Sequence, residues 1–160
     1  GDSGRFVVAG PMYPPEIAWP SNVTRIEHLP PAAHRRFYNS QRFTLNLTRA
    51  DMIAAGYSPS VRLFEAAACG TPIISDAWPG LDTLFTPGKE IFVASTPRQV
   101  LSLLRTMPEK QRIEAARRAR QRVLAAHTGA RRAAELEGYL LGITAPSPAG
   151  AATAALELGK

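Results

Sequence analysis

One cysteine, three histidines and no long apolar run narrow the chemistry of this 160-residue chain before any motif is considered. A single thiol, Cys69, excludes an internal disulfide framework. It falls inside an apolar helical pattern and reads as a small core residue rather than a nucleophile. His28, His34 and His127 are far apart in sequence and have no companion cysteines, so no metal site is expected. No apolar stretch approaches the roughly 20 residues that span a bilayer. Residues 1–4 lack the basic and apolar regions of a signal peptide and read as an interdomain linker or a cloned boundary.

What is present is globular. Hydrophobic residues make up 45% and charged residues 20%, at a length that suits one domain with a sizeable core. The net charge is +6, from 19 basic and 13 acidic residues, which favours anionic partners in general. Between Arg105 and Arg132 lie nine Lys or Arg and two acids, Glu109 and Glu114. A solvated helix face explains this run most simply; contact with an anionic membrane or nucleic acid is the alternative.

Short apolar runs bounded by Gly or Pro alternate with helical patterns over the first hundred residues. Strands are expected at 5–10, 22–27, 43–47, 72–75 and 90–93. Residues 11–22 hold four prolines and read as a loop. Pro30 and Pro31 open a helix that runs to about Asn39. After the third strand comes a loop of about a dozen residues. Ser60 then caps a helix carrying Val61, Leu63, Phe64, Ala67 and Ala68, stopped by Gly70 and Pro72. A short helical turn is expected near 81–85. Helices follow at 98–106, 109–126 and 130–141. The second of these places Ile113, Ala116, Val123 and Leu124 on one face. The domain spans 1–143, and residues 144–160 read as a mobile Ala-, Pro- and Gly-rich tail.

This order describes an α/β fold: a Rossmann-like parallel sheet flanked by helices, with further helices at the C-terminal end. Ligands of such sheets bind at the carboxyl ends of the strands. The helix opened by Ser60 begins at that edge. Its first amides, at Ser60, Val61 and Arg62, suit a phosphate. The hydroxyls of Ser58 and Ser60 and the Arg62 guanidinium add donors. Glu65, one turn on among small apolar residues, needs hydrogen-bond donors. Sugar hydroxyls would serve, and so would a nearby arginine or backbone amide. Asn46 and Arg49 stand at the end of the third strand, where they could orient phosphate or sugar, or instead satisfy a loop and face solvent. Asp76 and Trp78 follow the fourth strand on the same edge, and packing of Trp78 against a helix is the simpler reading of that ring. His127 ends a basic helix, where its charge would favour the dipole.

The run 58–76 resembles the donor-binding signature of retaining glycosyltransferases built from two Rossmann-like domains, the GT-B architecture. Residues 46–52 followed by 56–65, with 75–81 and 87–90, resemble the CgeB-like branch more narrowly, and the resemblance covers about 5–141. It implies that this chain is the C-terminal, donor-binding half of such an enzyme. By position, Glu65 matches the glutamate that holds the donor ribose. Ser58, Ser60 and the amides of Val61 and Arg62 match the diphosphate contacts. His28 and Leu29, after the second strand, match the place of the base. The resemblance implies no metal and no cofactor beyond a nucleoside-diphosphate sugar as donor substrate, and a hexosyltransferase-like activity. It also implies an acceptor-binding N-terminal domain and a first strand with a basic pair, both upstream of Gly1. The pattern departs at Tyr57, where many retaining members carry a second glutamate eight positions before the first.

The resemblance implies no catalytic residue at a matched position, and this chain alone is expected to bind nucleotide weakly and turn nothing over. A cytoplasmic protein is expected, with peripheral contact at the inner membrane face left open and no nucleic-acid partner. The rival reading is a non-catalytic Rossmann-like interaction module.

Overall fold

A computed structural model describes residues 4–11, 13–57 and 59–142. Ser58 and the tail over 144–160 lie outside the described residues. The chain divides into two compact units, Gly1–Ser40 and Gln41–Lys160.

The first unit contains strands β1 (Phe6–Ala9) and β2 (Val23–Ile26) and helix α1 (Pro31–Asn39). The strands pair in parallel, with Phe6 opposite Val23 and Ala9 opposite Ile26. The proline-rich connection between them is held by Arg25 of β2. Its guanidinium lies 4.3 Å from the centre of the Tyr13 ring and 4.7 Å from that of Trp19, and Nη2 donates to the Gly10 carbonyl. Pro31 sits in the first turn of α1, where a missing amide hydrogen costs nothing.

The second unit contains β3 (Thr44–Asn46), α2 (Ala50–Ala55), α3 (Val61–Ala68), β4 (Ile73–Ser75), α4 (Leu81–Leu84), β5 (Phe92–Val93), α5 (Pro97–Thr106), α6 (Glu109–Ala126) and α7 (Gly129–Leu140). Its strands form a parallel sheet in the order β3-β4-β5. Register sets Leu45, Ile74 and Phe92 in one row. These three share a core with Ala94, Ala115 and the apolar side of α5, at Val100, Leu103 and Leu104. Alternation along the strands turns Thr44, Asn46, Ile73 and Ser75 to the opposite side, all of them buried. Helix α3 packs against β3, β4 and α6.

Local sequence explains these elements. Thr96 and Gln99 close a reciprocal capping box at the start of α5. Helix α3 ends in a Schellman motif: the Gly70 amide donates to Ala67, the Thr71 amide to Ala66, and Gly70 takes φ 73°. Arg120 of α6 adds a bond from Nε to the Ala68 carbonyl, 3.1 Å. Cys69, half-buried, is the C-cap of α3 rather than a residue within the helix.

Three sequence expectations change. The strands pair as two parallel sheets, one per unit, because strand spacing along a chain carries no information on which strands become neighbours. The loop expected after the third strand contains α2, whose alanine-rich run favours helix until Gly56 ends it. On α6 the buried face is Ala115, Ala116, Ala119 and Val123, while Ile113 and Leu124 are exposed. Small side chains let α6 approach α3 closely, so the larger apolar residues of the expected stripe fall outside the contact.

Candidate functional site

The end of β3, the end of β4 and the start of α3 meet at one edge of the second unit. Asn46, fully buried, is the centre of that meeting. Its Nδ2 donates to Ser75 Oγ at 2.9 Å and to Thr48 Oγ1 at 3.3 Å, and its Oδ1 accepts from Arg62 Nη1 at 3.2 Å. Asp76 continues the network. Its carboxylate accepts from the Thr48 amide (2.8 Å), the Thr48 hydroxyl (2.7 Å) and the Ser75 hydroxyl (3.3 Å). A buried amide without such partners would cost about 1–3 kcal/mol. The network therefore stabilises the edge and fixes Arg62 upon it.

Ser60 is the N-cap of α3, and its hydroxyl accepts from the Arg62 amide at 3.4 Å. That long bond takes up one of the three amides expected to face a phosphate. Those of Ser60 and Val61 precede the helical bonding ladder and have no role inside it. Val61 itself is exposed, and Glu65 is half-buried one turn further along α3. Of the five N–H donors of the Arg62 guanidinium, one hydrogen bond goes to Asn46.

The remaining expected residues divide. Arg49 is exposed and begins α2 as its N-cap. The Asn46 side chain is buried, and its Oδ1 holds the Arg62 guanidinium. His28 is exposed and Leu29 half-buried in the first unit, where the Leu29 carbonyl lies 3.2 Å from His34 Nε2. Trp78 is buried, as expected for packing, and its indole nitrogen has no hydrogen-bond partner among the described residues. Sequence reasoning missed Thr48 and the tie between Asp76 and β3. Their signal is faint, since a threonine and an aspartate 28 residues apart join only through strand register.

A second crossing occurs on this edge. The loop before α3 and the loop after β4 are joined by a bond from the Tyr57 amide to the Pro79 carbonyl, 2.8 Å. Tyr57 has φ 48°, the one non-glycine positive φ among the described residues. Its ring lies over Gly80, where an added Cβ would sit 2.5 Å from Tyr57 Cδ1.

Away from this edge the charges are mostly internal. Glu90 accepts from the Thr86 amide at 2.6 Å and from Arg122 Nε at 2.5 Å. Arg117, by hydrogen bonding, and Arg118 draw the Glu114 carboxyl down to about 2. Arg112 pairs with Glu109 and donates to the Arg42 carbonyl. The basic run on α6 is thus largely taken up within the molecule. His127 packs beside the Phe64 and Phe85 rings and contacts Arg132. Burial first, then Arg132 and Arg122, hold its pKa below the ordinary value. The expected favourable charge at the helix end is therefore suppressed by these surroundings.

Among the described residues no group of three or more His, Cys, Asp or Glu gathers, and no helix is long and apolar enough to cross a membrane.

Parallel strands flanked by helices, with a capped helix opening at the strand ends, define a Rossmann-like α/β fold. The chain belongs to the glycosyl transferase-like family, whose sequence model matches residues 2–138. Among solved structures it is similar to sucrose-phosphate synthase from Thermosynechococcus elongatus, at 18% identity and TM-score 0.58, covering 76% of this chain and 31% of that one. It is also similar to AviGT4, a glycosyltransferase involved in avilamycin A biosynthesis, at 22% identity and TM-score 0.57, covering 86% of this chain and 43% of that one. At these identities the likeness is one of fold, that of GT-B glycosyltransferases. The chain spans less than half the length of either structure. Among proteins with curated descriptions none matches the sequence.

Proposed function

We propose that this chain is the donor-binding half of a glycosyltransferase that moves a sugar from a nucleoside diphosphate to an acceptor held by another domain. The observation that carries the reading is the α3 N-terminus: Ser60 caps it at the carboxyl edge of β3 and β4, with Arg62 anchored by Asn46 beside it.

In this reading the diphosphate meets the amides of Ser60 and Val61, the Ser58 and Ser60 hydroxyls and the Arg62 guanidinium. The positive end of the helix and the arginine lower the energy of the departing nucleotide, an electrostatic contribution to transfer that calls for no metal. Glu65 accepts the ribose hydroxyls, two donors that a carboxylate can take at once. The finer likeness to the CgeB-like branch belongs to this proposal. The membrane alternative draws little support from α6, since Arg112, Arg117, Arg118, Arg120 and Arg122 all have partners within the chain.

The test is calorimetric titration of uridine, guanosine and adenosine diphosphates into the full-length protein. Saturable binding of one of them, with the monophosphate weaker by about tenfold for the loss of a charge-assisted contact, is the expected result. Absence of saturable binding by all three contradicts the reading.

A further inference from the structure

We infer that Asp76 is a positioning residue for Arg62: its carboxylate, acting through two hydroxyls, sets which end of the buried Asn46 amide faces the guanidinium. The inference rests on the donor-site reading above, in which Arg62 meets the diphosphate.

The bonds at this edge form a chain whose direction is fixed by chemistry. A carboxylate only accepts, whereas a hydroxyl has a single hydrogen to donate and lone pairs with which to accept. Asp76 Oδ1 takes the hydrogens of both neighbouring hydroxyls, Thr48 at 2.7 Å and Ser75 at 3.3 Å. Its Oδ2 takes the Thr48 amide at 2.8 Å. Each hydroxyl has then given its only hydrogen to Asp76. Toward Asn46 it can only accept.

Asn46 answers with its NH2 group. Nδ2 donates to Ser75 Oγ at 2.9 Å and to Thr48 Oγ1 at 3.3 Å, which uses both of its hydrogens. With Nδ2 turned to the hydroxyls, Oδ1 is turned the other way, and Arg62 Nη1 donates to it at 3.2 Å. The flipped amide would set its own donors against those of the guanidinium. It would also leave polar atoms of a fully buried residue without partners.

The chain crosses three elements. Asp76 follows β4, Asn46 ends β3, and Arg62 lies in the first turn of α3. A carboxamide at position 76 could satisfy the same amide and hydroxyls with the polarity reversed. Cross-linking the strand ends therefore does not by itself call for the charge; the direction of the chain does. Bonds aligned head to tail in this way also polarise one another.

The experiment reverses that direction and then restores it. In Asp76→Asn the new NH2 group donates to the two hydroxyls, which then donate to Asn46 Oδ1. The Asn46 amide turns its NH2 group on Arg62. Adding Asn46→Asp puts an acceptor-only group there and gives Arg62 an acceptor again. Diphosphates and monophosphates of uridine, guanosine and adenosine would be titrated into the full-length parent and variants. For the nucleoside that binds, Asp76→Asn should cut the preference for diphosphate over monophosphate from about tenfold to about twofold. The combined variant should recover it to within about threefold of the parent. If Asp76→Asn lowers the thermal midpoint, the combined variant should recover that too. In an Arg62→Met background, Asp76→Asn should leave the preference unchanged.

A parent-like preference in Asp76→Asn, no recovery in the combined variant, or a further loss in the Arg62→Met background would overturn the role of Asp76 while leaving the donor site standing. Failure of every diphosphate to bind the parent protein would overturn the donor reading and this inference with it.

Discussion

Arg62 on α3 donates from Nη1 to Oδ1 of Asn46 on β3 at 3.2 Å, so a guanidinium at the helix end is held by a residue that is fully buried. Asn46 also donates to Ser75 on the neighbouring strand, in register with it. One carboxamide thus joins two strands and a helix end at the edge where a ligand would sit.

Replacing Asn46 with alanine should therefore act twice. Ser75 loses a donor and Arg62 an acceptor, at a cost of about 1–3 kcal/mol read from urea unfolding. Nucleotide affinity should also fall, because Arg62 is no longer held at the helix end. An unchanged unfolding midpoint would mean that the network does not depend on Asn46.

Gly80→Ala should destabilise by about 1–3 kcal/mol, since it adds a Cβ against the Tyr57 ring at a left-handed φ. Combined with Tyr57→Gly, the loss should be smaller than the sum of the two single effects, because the clash is gone. Strict additivity of thermal midpoints would show that the two residues do not meet.

Glu90 joins the Thr86 amide to Arg122 of α6, with 12% of the Glu90 side chain exposed. Glu90→Gln should cost about 1–2 kcal/mol by weakening both bonds. The exposed pair between Arg117 and Glu114 makes a contrast: Glu114→Gln should leave the unfolding midpoint almost unchanged.

His127 predicts a pH dependence. Its folded pKa lies below the ordinary 6.5, chiefly through burial beside Phe64 and Phe85, so the unfolded chain takes up a proton that the folded one refuses. Stability from this residue is complete above about pH 6.5 and is lost as pH falls through the folded pKa. Thermal midpoints measured at pH 7.5, 6.5 and 5.5 should drop more for the parent than for His127→Gln. Parallel curves would contradict the assignment.

Most of the helices were legible in the sequence because their ends are marked. Ser60 and Gly70 bracket α3, and the bounds of α6 follow from Pro108 and the apolar spacing. The α2 helix was not, since its six residues lie between a strand and Gly56 with no cap beyond the backbone. Strand positions were legible but strand neighbours were not, because pairing depends on contacts distant in sequence. For the same reason Ser60, Val61, Arg62 and Glu65 could be placed on a helix end, whereas the ties of Asn46 to Arg62 and Thr48 to Asp76 could not. The crossing of Tyr57 and Gly80 was invisible for a further reason: it rests on a backbone angle that sequence favours only at glycine.

The central claim is that Glu65 holds the donor ribose while the α3 N-terminus holds its diphosphate. The most direct measurement is a thermodynamic cycle between Glu65→Ala and removal of the ribose hydroxyls. The nucleoside diphosphate that binds and its 2′,3′-dideoxy form would each be titrated into parent and variant full-length protein. The account predicts that the parent prefers the ribose form by about tenfold or more and that the variant loses this preference, a coupling of about 1.5–3 kcal/mol for hydrogen bonds to a charged group. An equal preference for ribose in parent and Glu65→Ala would contradict it.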